Sequence, residues 1–491
     1  MNIMKEKQIV NLLRKTFIFY ATPTLLLILS AIFVIGCFGL DGGKNTEESK
    51  PGNREDGNRL GVDLILSEDG KHLVTRYFDN NTKKFVSFDL ETFTPVEMDL
   101  DYLPDRMVFG QNGLGYFLSS NYDINDGISY WVEEASLNIG IVFRKWKFSN
   151  QYSFLSMDNT NRFIALWNTP QSNSISTYPE TNNIAILDTI SGMVVEHSFD
   201  YRVVDIRWIK NKDEIAIVLA TDQPDETEIK FYKIFENSFR SIKVPNCPSS
   251  LEVSPDGTLA MLAPTQCFID PVSVINLEQH KFVGNLPGFG PVVFSEDGTY
   301  AVAFARQFDL LEEAGIQTET GYSLLFIDLP NLSFDVMELG DSIPIYTITP
   351  NGQIVLLYSK YGNFHNTFGD NIVIVDVNGR HLRQASGPDI WLSEFVITPD
   401  SESVYLIDEG FYKLNLLTGK MNRIEIDCQL DNYFDVNCAP EILNITPDGK
   451  TLIMGYMNEA EYTLYNTESD KVIGSFGKSS AFEFEEQGNI L

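Results

Sequence analysis

The chain has 491 residues, 36 basic and 68 acidic, for a formal charge of −32, and 43% of it is apolar. That much apolar material fills a large core, which excludes a globally disordered chain. The acidity argues against a nucleic-acid-binding or anionic-membrane surface, since both need clustered Lys and Arg, and it suits solubility and basic or cationic partners.

Lys5, Lys7, Arg14 and Lys15 precede an uncharged run over residues 16–36, the order of an export signal. The run is also long enough, at about 20 residues, to span a bilayer as an uncleaved helix. Val34-Ile35-Gly36-Cys37 resembles the bacterial lipobox, with an aliphatic residue three positions before the cysteine and a small one directly before it. The resemblance implies that residues 1–36 are a lipoprotein signal peptide and that Cys37 is acylated after cleavage; a signal-anchor is the alternative. Either way the rest of the chain is expected outside the cytoplasm, periplasmic or at the cell surface, held to a membrane. Residues 37–60 lack apolar periodicity and read as a hydrated tether reaching roughly 25–30 Å. With Cys37 reserved for lipid, Cys247, Cys267, Cys428 and Cys438 remain, an even number suited to two disulfides. Three pairings are open, and the sequence neighbours Cys247–Cys267 and Cys428–Cys438 are the expected ones.

From residue 61 one figure recurs: a short apolar strand, a tight turn, and a second apolar strand. Its clearest copy is Ser254-Pro255-Asp256-Gly257, in which Pro presets φ, Asp can bond the backbone ahead of it, and Gly accepts a positive φ. It returns at Ser67–Gly70, Ser295–Gly298, Thr349–Gly352 and Thr446–Gly449, with a degraded copy at Thr398–Ser401. A second turn follows in phase, led by an acid or amide at Asp89, Asp188, Asp328, Asp376, Asn415 and Asn466. Together these marks cut the chain into about nine units of roughly 40–54 residues, each with four strands A to D. The units start near Val62, Arg106, Tyr152, Val203, Ser250, Pro291, Ile345, Glu394 and Ile442. Units two to four lack the clean turn and rest on strand pattern and spacing.

Four-stranded units at this period predict an all-β β-propeller over residues 61–478, followed by a tail over 479–491. Nine blades, eight blades or two smaller propellers remain open. The turn motifs resemble those of bacterial extracytoplasmic propellers with TolB-like, WD-repeat-like and YVTN-type repeats. That resemblance implies the fold and leaves the function open, because such repeats serve scaffolds and enzymes alike.

In an up-and-down blade the A–B and C–D turns leave one end, and the B–C and D–A connections leave the other. The A–B turns are short and alike. The B–C loops differ, with long ones expected over 120–129, 168–183, 221–228, 307–321 and 359–371, so this end is where binding residues are expected. The candidates are Asp123, Asp126, Asp222, Asp225, Asp309, Glu312, Glu313, Tyr361, His365 and Asp370. Acids beside aromatics suit a basic peptide, a sugar or a polyamine. Cys247 and Cys267 are expected at the same end.

Little in the chain points to catalysis. Asp123–Gly127 superficially resembles a calcium loop but is one residue short and lacks the distal Glu, so it reads as a turn and calcium is a weak candidate. Among the five histidines only His365 maps to the loop end, too few for a His-held metal. No Gly-x-Ser-x-Gly elbow, dinucleotide fingerprint or phosphate loop occurs. The expected function is a membrane-tethered scaffold binding a protein or small ligand, without catalysis or cofactor. The alternative is a lactonase-like hydrolase using carboxylates, with or without a divalent cation, in the channel.

Overall fold

The computed structural model describes residues 64–476 except 68, 80–81, 93, 103, 124–126, 149, 169–181, 248, 264–270, 296, 307–321, 341–344, 359–371, 378–380, 386–393, 408–409, 426–441 and 457–460. Among these residues every regular element is a strand, and the strands form nine four-stranded antiparallel sheets. The sheets occupy residues 64–97, 104–148, 154–198, 202–244, 251–286, 289–340, 345–384, 394–424 and 442–476. In each, strands A to D pair in chain order, so every blade is an uninterrupted meander and no blade mixes the two ends of the chain. The expected units and the observed sheets coincide blade for blade.

Strand alternation explains why such thin sheets associate. Successive side chains point to opposite faces, so a blade needs an apolar neighbour on each side. In blade 1, Leu73 and Val74 are adjacent and both buried. Val74 packs with Phe85, Met107 and Phe117 towards blade 2, whereas Leu73 packs with Val86, Ile453 and Leu464 towards blade 9. In blade 6, Leu325 and Ile327 face blade 5, and Leu324 and Phe326 face blade 7. The remaining clusters join blades 2 and 3, 3 and 4, 4 and 5, 7 and 8, and 8 and 9. The set closes on itself. The described body is therefore a nine-bladed β-propeller, with each buried Leu, Ile or Phe contributing about 1.5–3 kcal/mol through removal from water.

Strand A is innermost. The A strands of blades 2 and 3, 4 and 5, 6 and 7, and 8 and 9 touch one another, while the D strands of blades 2 to 5 carry exposed side chains along much of their length. At the axis, Asp205 and Arg207 of Arg202–Trp208 lace onto strand Leu251–Val253. The Leu251 N–H donates to Asp205 Oδ2 at 2.9 Å, and Arg207 Nε donates to the Leu251 carbonyl at 2.8 Å. A bulge at 203–205 aims the Asp205 carboxylate at that backbone.

The A–B turns also form a ring of their own. A Cβ at Gly257 would lie 2.6 Å from the Lys210 carbonyl oxygen of blade 4, and one at Gly70 would lie 2.5 Å from Pro447 Cδ of blade 9. Both glycines also have positive φ, at 71° and 69°. Glycine is thus required twice at these positions, for the backbone conformation and for the approach of the next turn.

Candidate functional site

The chain order of the strands puts the A–B and C–D turns at one end of the wheel and the B–C and D–A connections at the other. The two ends differ in what their polar groups do. At the A–B turn of blade 5 the Ser254 hydroxyl donates to Asp256 Oδ1 at 2.6 Å and accepts from the Leu259 N–H at 3.0 Å. The Thr258 N–H reaches the same carboxylate oxygen at 3.1 Å. Blades 1, 6, 8 and 9 repeat this with Ser67/Asp69, Ser295/Asp297, Thr398/Asp400 and Thr446/Asp448. In blade 7 Asn351 stands in, its Oδ1 accepting from Thr349 Oγ1 at 2.8 Å and from the Gln353 N–H at 3.1 Å. In blade 3 Asp158 accepts both the Arg162 and the Phe163 N–H directly.

Burial raises the carboxyls of Asp69, Asp256, Asp297 and Asp448. The hydroxyl and backbone donors outweigh it and leave all four below the usual carboxylate value. In the C–D turn of blade 3 the Arg162 guanidinium, opposed by a smaller burial penalty and aided by two backbone N–H groups, lowers Asp188 to about 2. The Asp side chains of the repeated motif are committed to their own turns, whereas Asp213, Glu278 and Glu402 are exposed at this end.

At the other end the fully described B–C loop is that of blade 4, residues 221–226. Thr221 Oγ1 is its hub: it donates within the loop, reaching the Glu226 carbonyl at 2.8 Å and the Gln223 carbonyl at 3.2 Å, and accepts from the Gln223 N–H at 3.1 Å. This leaves Asp222 and Asp225 exposed at the tip. Glu226 is tied to Lys243 Nζ at 2.7 Å, and Glu228 pairs with Lys230 at 3.2 Å. Glu228, expected in the loop, belongs instead to strand Thr227–Lys233, because its register with Leu219 and Lys243 continues the sheet. Gln223, Asp225, Glu226, Lys243 and Pro245 line a shallow hollow of about 360 Å³.

Blade 2 departs from the expected long loop over 120–129. Strands Leu114–Asp123 and Gly127–Ser136 stay paired out to Asp123 opposite Gly127, so this loop is mostly an extended hairpin. Its polar residues, Ser119, Ser120, Asn121 and Ser129, mask a strand because one edge of a projecting hairpin needs no apolar alternation. Asp123 is the last residue of its strand. Asp126, Asp309, Glu312, Glu313, Tyr361, His365 and Asp370 lie outside the described residues, as do Cys37, Cys267, Cys428 and Cys438. Of the expected site, the structure thus describes Asp222, Asp225 and Cys247, and the strand position of Asp123.

Cys247 is buried and disulfide-bonded. Its neighbour Asn246 ties the D–A connection down: Thr227 Oγ1 donates to the Asn246 carbonyl at 2.8 Å. Asn246 Nδ2 in turn donates to the Pro271 carbonyl at 2.6 Å and to Ser273 Oγ at 2.9 Å.

Two charged groups on blade 2 escaped the reading from sequence. Glu133 and Glu134 are adjacent and both buried; Lys145 meets Glu133 at 3.1 Å and also Asp101, and Arg144 meets Glu134. Burial pushes the Glu133 carboxyl up despite the Lys145 ammonium. The signal was available: consecutive acids in a C strand opposite consecutive bases in the D strand are cross-strand pairs. Among the described residues no three His, Cys, Asp or Glu side chains are grouped to hold a metal, and no helix is long and apolar enough to cross a membrane.

No family model matches the chain, and no curated protein matches it. Solved structures do. The chain is similar to a eukaryotic initiation factor at 12% identity, over 82% of this chain and 94% of that one, with a TM-score of 0.56. Two weaker likenesses are to the dihydro-heme d1 dehydrogenase NirN, at 15% identity over 77% and 75% with a TM-score of 0.45, and to AztD from Citrobacter koseri, at 13% over 76% and 95% with 0.40. At 12% identity the likeness to the initiation factor speaks for the fold alone.

Proposed function

We propose that this chain is a membrane-tethered, extracytoplasmic propeller of the bacterial envelope that binds a basic partner, a cationic protein segment or polyamine, at the end carrying the B–C loops. One observation carries the reading: the described B–C loop presents two exposed carboxylates on a backbone tied down from within. At the turn end the Asp side chains of the repeated motif are consumed by backbone N–H groups and hydroxyls, and Asp213 of blade 4 is the exposed exception. In the described B–C loop, Thr221 holds the backbone, Glu226 and Glu228 meet lysines, and Asp222 and Asp225 project outward. A rigid loop presenting two carboxylates suits a cation and needs little ordering on binding.

The same reading takes in Asp309, Glu312, Glu313, Tyr361, His365 and Asp370, which fall between strands B and C in the sequence. It also takes Cys37 as the lipidated residue. Cys267 is proposed as the partner of Cys247, since Asn246 fastens the Cys247 segment to Pro271, just beyond the loop that holds Cys267.

The test is affinity capture from solubilised membranes with the full chain, beside a variant carrying Asp222→Lys, Asp225→Lys, Asp309→Lys and Glu312→Lys. A partner retained by the wild type and lost by the variant, with an unchanged melting temperature, supports the reading. Equal capture by both proteins removes the acidic loops from it.

A further inference from the structure

We propose that Asn112 is a site of spontaneous deamidation and isoaspartate formation, set apart from the other A–B turns because both reacting groups are unrestrained there. The reaction joins the Asn side-chain carbonyl carbon to the backbone nitrogen of the next residue. It is quickest before glycine, which has no Cβ to shield that nitrogen. Asn-Gly occurs at 112–113, 351–352 and 378–379, and the last pair lies outside the described residues. The first two pairs sit in the A–B turns of blades 2 and 7, so one dipeptide stands in two settings.

The settings differ at each reacting atom. In eight of the nine blades the A–B turn closes with an N–H donating to the carbonyl three residues back, as Gly70 does to Ser67 at 2.9 Å and Gly352 to Thr349 at 2.8 Å. Blade 2 closes one residue later, through the Leu114 N–H on the Gln111 carbonyl at 3.3 Å, with φ of 58° at Asn112 and 68° at Gly113. Among the described residues no acceptor takes the Gly113 N–H, so the attacking nitrogen is untied. Asn112 is exposed, and among the described residues no group bonds its amide. Asn351 Oδ1, in contrast, accepts from Thr349 Oγ1 at 2.8 Å and from the Gln353 N–H at 3.1 Å. A Cβ on Gly352 would lie 2.3 Å from Ser295 Cβ of blade 6, so the blade 7 turn has no room to rotate.

The step needs only water. The Gly113 nitrogen gives its proton to hydroxide and bonds Asn112 Cγ; the Cγ–Nδ2 bond breaks, and ammonia leaves after taking a proton from water, which returns the hydroxide. Water then opens the resulting five-membered imide. Opening at the side-chain carbonyl leaves aspartate, and opening at the main-chain carbonyl leaves isoaspartate, in which the chain runs through Cβ and Cγ. Isoaspartate lengthens the backbone by one atom, and Gly113 has little space to absorb it. Its carbonyl accepts the Leu137 N–H at 2.8 Å, and a Cβ there would lie 2.7 Å from Asn138 Nδ2 and 3.2 Å from His72 Nε2 of blade 1. The lesion therefore bears on the contact between blades 1 and 2.

The test holds the full chain in mildly alkaline buffer made with oxygen-18 water, with samples digested over weeks and read by mass spectrometry. Protein isoaspartyl methyltransferase labels the same samples. Each bond accepted by Asn351 slows its release by roughly a factor of five, so oxygen-18 uptake and methyl labelling at 112 should exceed those at 351 by at least about twentyfold. In urea, where both turns are unfolded, the two rates should converge. Thr349→Ala removes one of the two bonds and should raise uptake at 351 about fivefold while leaving 112 unchanged. The urea arm keeps the comparison decisive should that variant not fold. Equal uptake at 112 and 351 in the folded chain would overturn the proposal, as would an unlabelled 112 in the folded chain when urea labels both.

Discussion

Thr75 and Tyr462 stand 387 positions apart in the chain, yet Thr75 Oγ1 donates to the Tyr462 hydroxyl at 2.7 Å. The bond lies inside the apolar contact between the first and last blades, beside Leu73, Val86, Phe88, Ile453 and Leu464. Because every blade is a complete meander, this seam closes by side chains alone, with no strand crossing it. Loss of the Tyr462 hydroxyl in Tyr462→Phe is expected to cost about 1 kcal/mol, and Leu464→Ala about 2–5 kcal/mol, each read as a shift in chemical denaturation midpoint.

Glycine at the A–B turn is expected to matter beyond its φ. Gly257→Ala places a Cβ against the Lys210 carbonyl, a backbone atom of the next blade that cannot swing aside. Gly290 has a similar φ of 76°, but the nearest atom to its added Cβ is at 3.8 Å. Gly290→Ala should therefore cost about 1 kcal/mol and Gly257→Ala at least about twice that, in parallel urea titrations. Equal costs would reduce the role of Gly257 to its backbone angle.

Ser401 takes the glycine position in blade 8 with φ at 62°, and its Oγ accepts the Asn351 N–H of blade 7 at 3.1 Å. Ser401→Gly relieves the backbone and loses the acceptor, two effects of about 1 kcal/mol that offset each other. Ser401→Ala keeps the strain and loses the bond, so it should be the less stable variant by about 1 kcal/mol. Thermal melts of the two side by side check the order.

The turn carboxyls make stability depend on acid. Asp69, Asp256, Asp297 and Asp448 titrate lower in the folded chain than an ordinary carboxyl near 3.9, and Asp188 titrates at about 2. Their contribution is complete above the unfolded value and is lost as pH falls through the depressed folded values, below about pH 4. Asn351 shows that an amide fits the motif. Asp256→Asn, Asp297→Asn and Asp448→Asn combined should thus fold and show a shallower loss of melting temperature between about pH 5 and pH 2 than the wild type. For Asp188, Arg162→Ala should move its carbon-13-detected titration upward.

The fold was legible because two turn types recur in phase. All nine blades start within a few residues of where the turns, or in blades 2 to 4 the strand pattern and spacing, place them. Even blades 2 to 4, which lack the Pro-Asp-Gly turn, supply the left-handed residue with Asn112, Asn161 and Asn211, the non-glycine type best suited to it. What the motif could not reveal is that Gly257 also meets the neighbouring blade, since packing between units leaves no local pattern. The loop end was harder to read. The polar stretch in blade 2 is largely paired strand, and Glu228 sits in the sheet. Pairing across strands, not composition, decides those boundaries. The axial pair Asp205 and Arg207 was written into strand Arg202–Trp208 as charges two positions apart, a spacing that puts both on one side.

Closure of the ring is tested most directly by amine cross-linking of the intact monomer, with no substitution. Lys71 follows Gly70, whose turn lies against Pro447, and Lys450 ends the same blade 9 turn; both lysines are exposed. A short bis-succinimidyl reagent should join Lys71 to Lys450 within one chain, alongside Lys210 to Lys281 as an internal reference between blades 4 and 5. Recovery of the reference link without the Lys71–Lys450 link would mean that blades 1 and 9 do not meet, and would contradict the nine-bladed wheel.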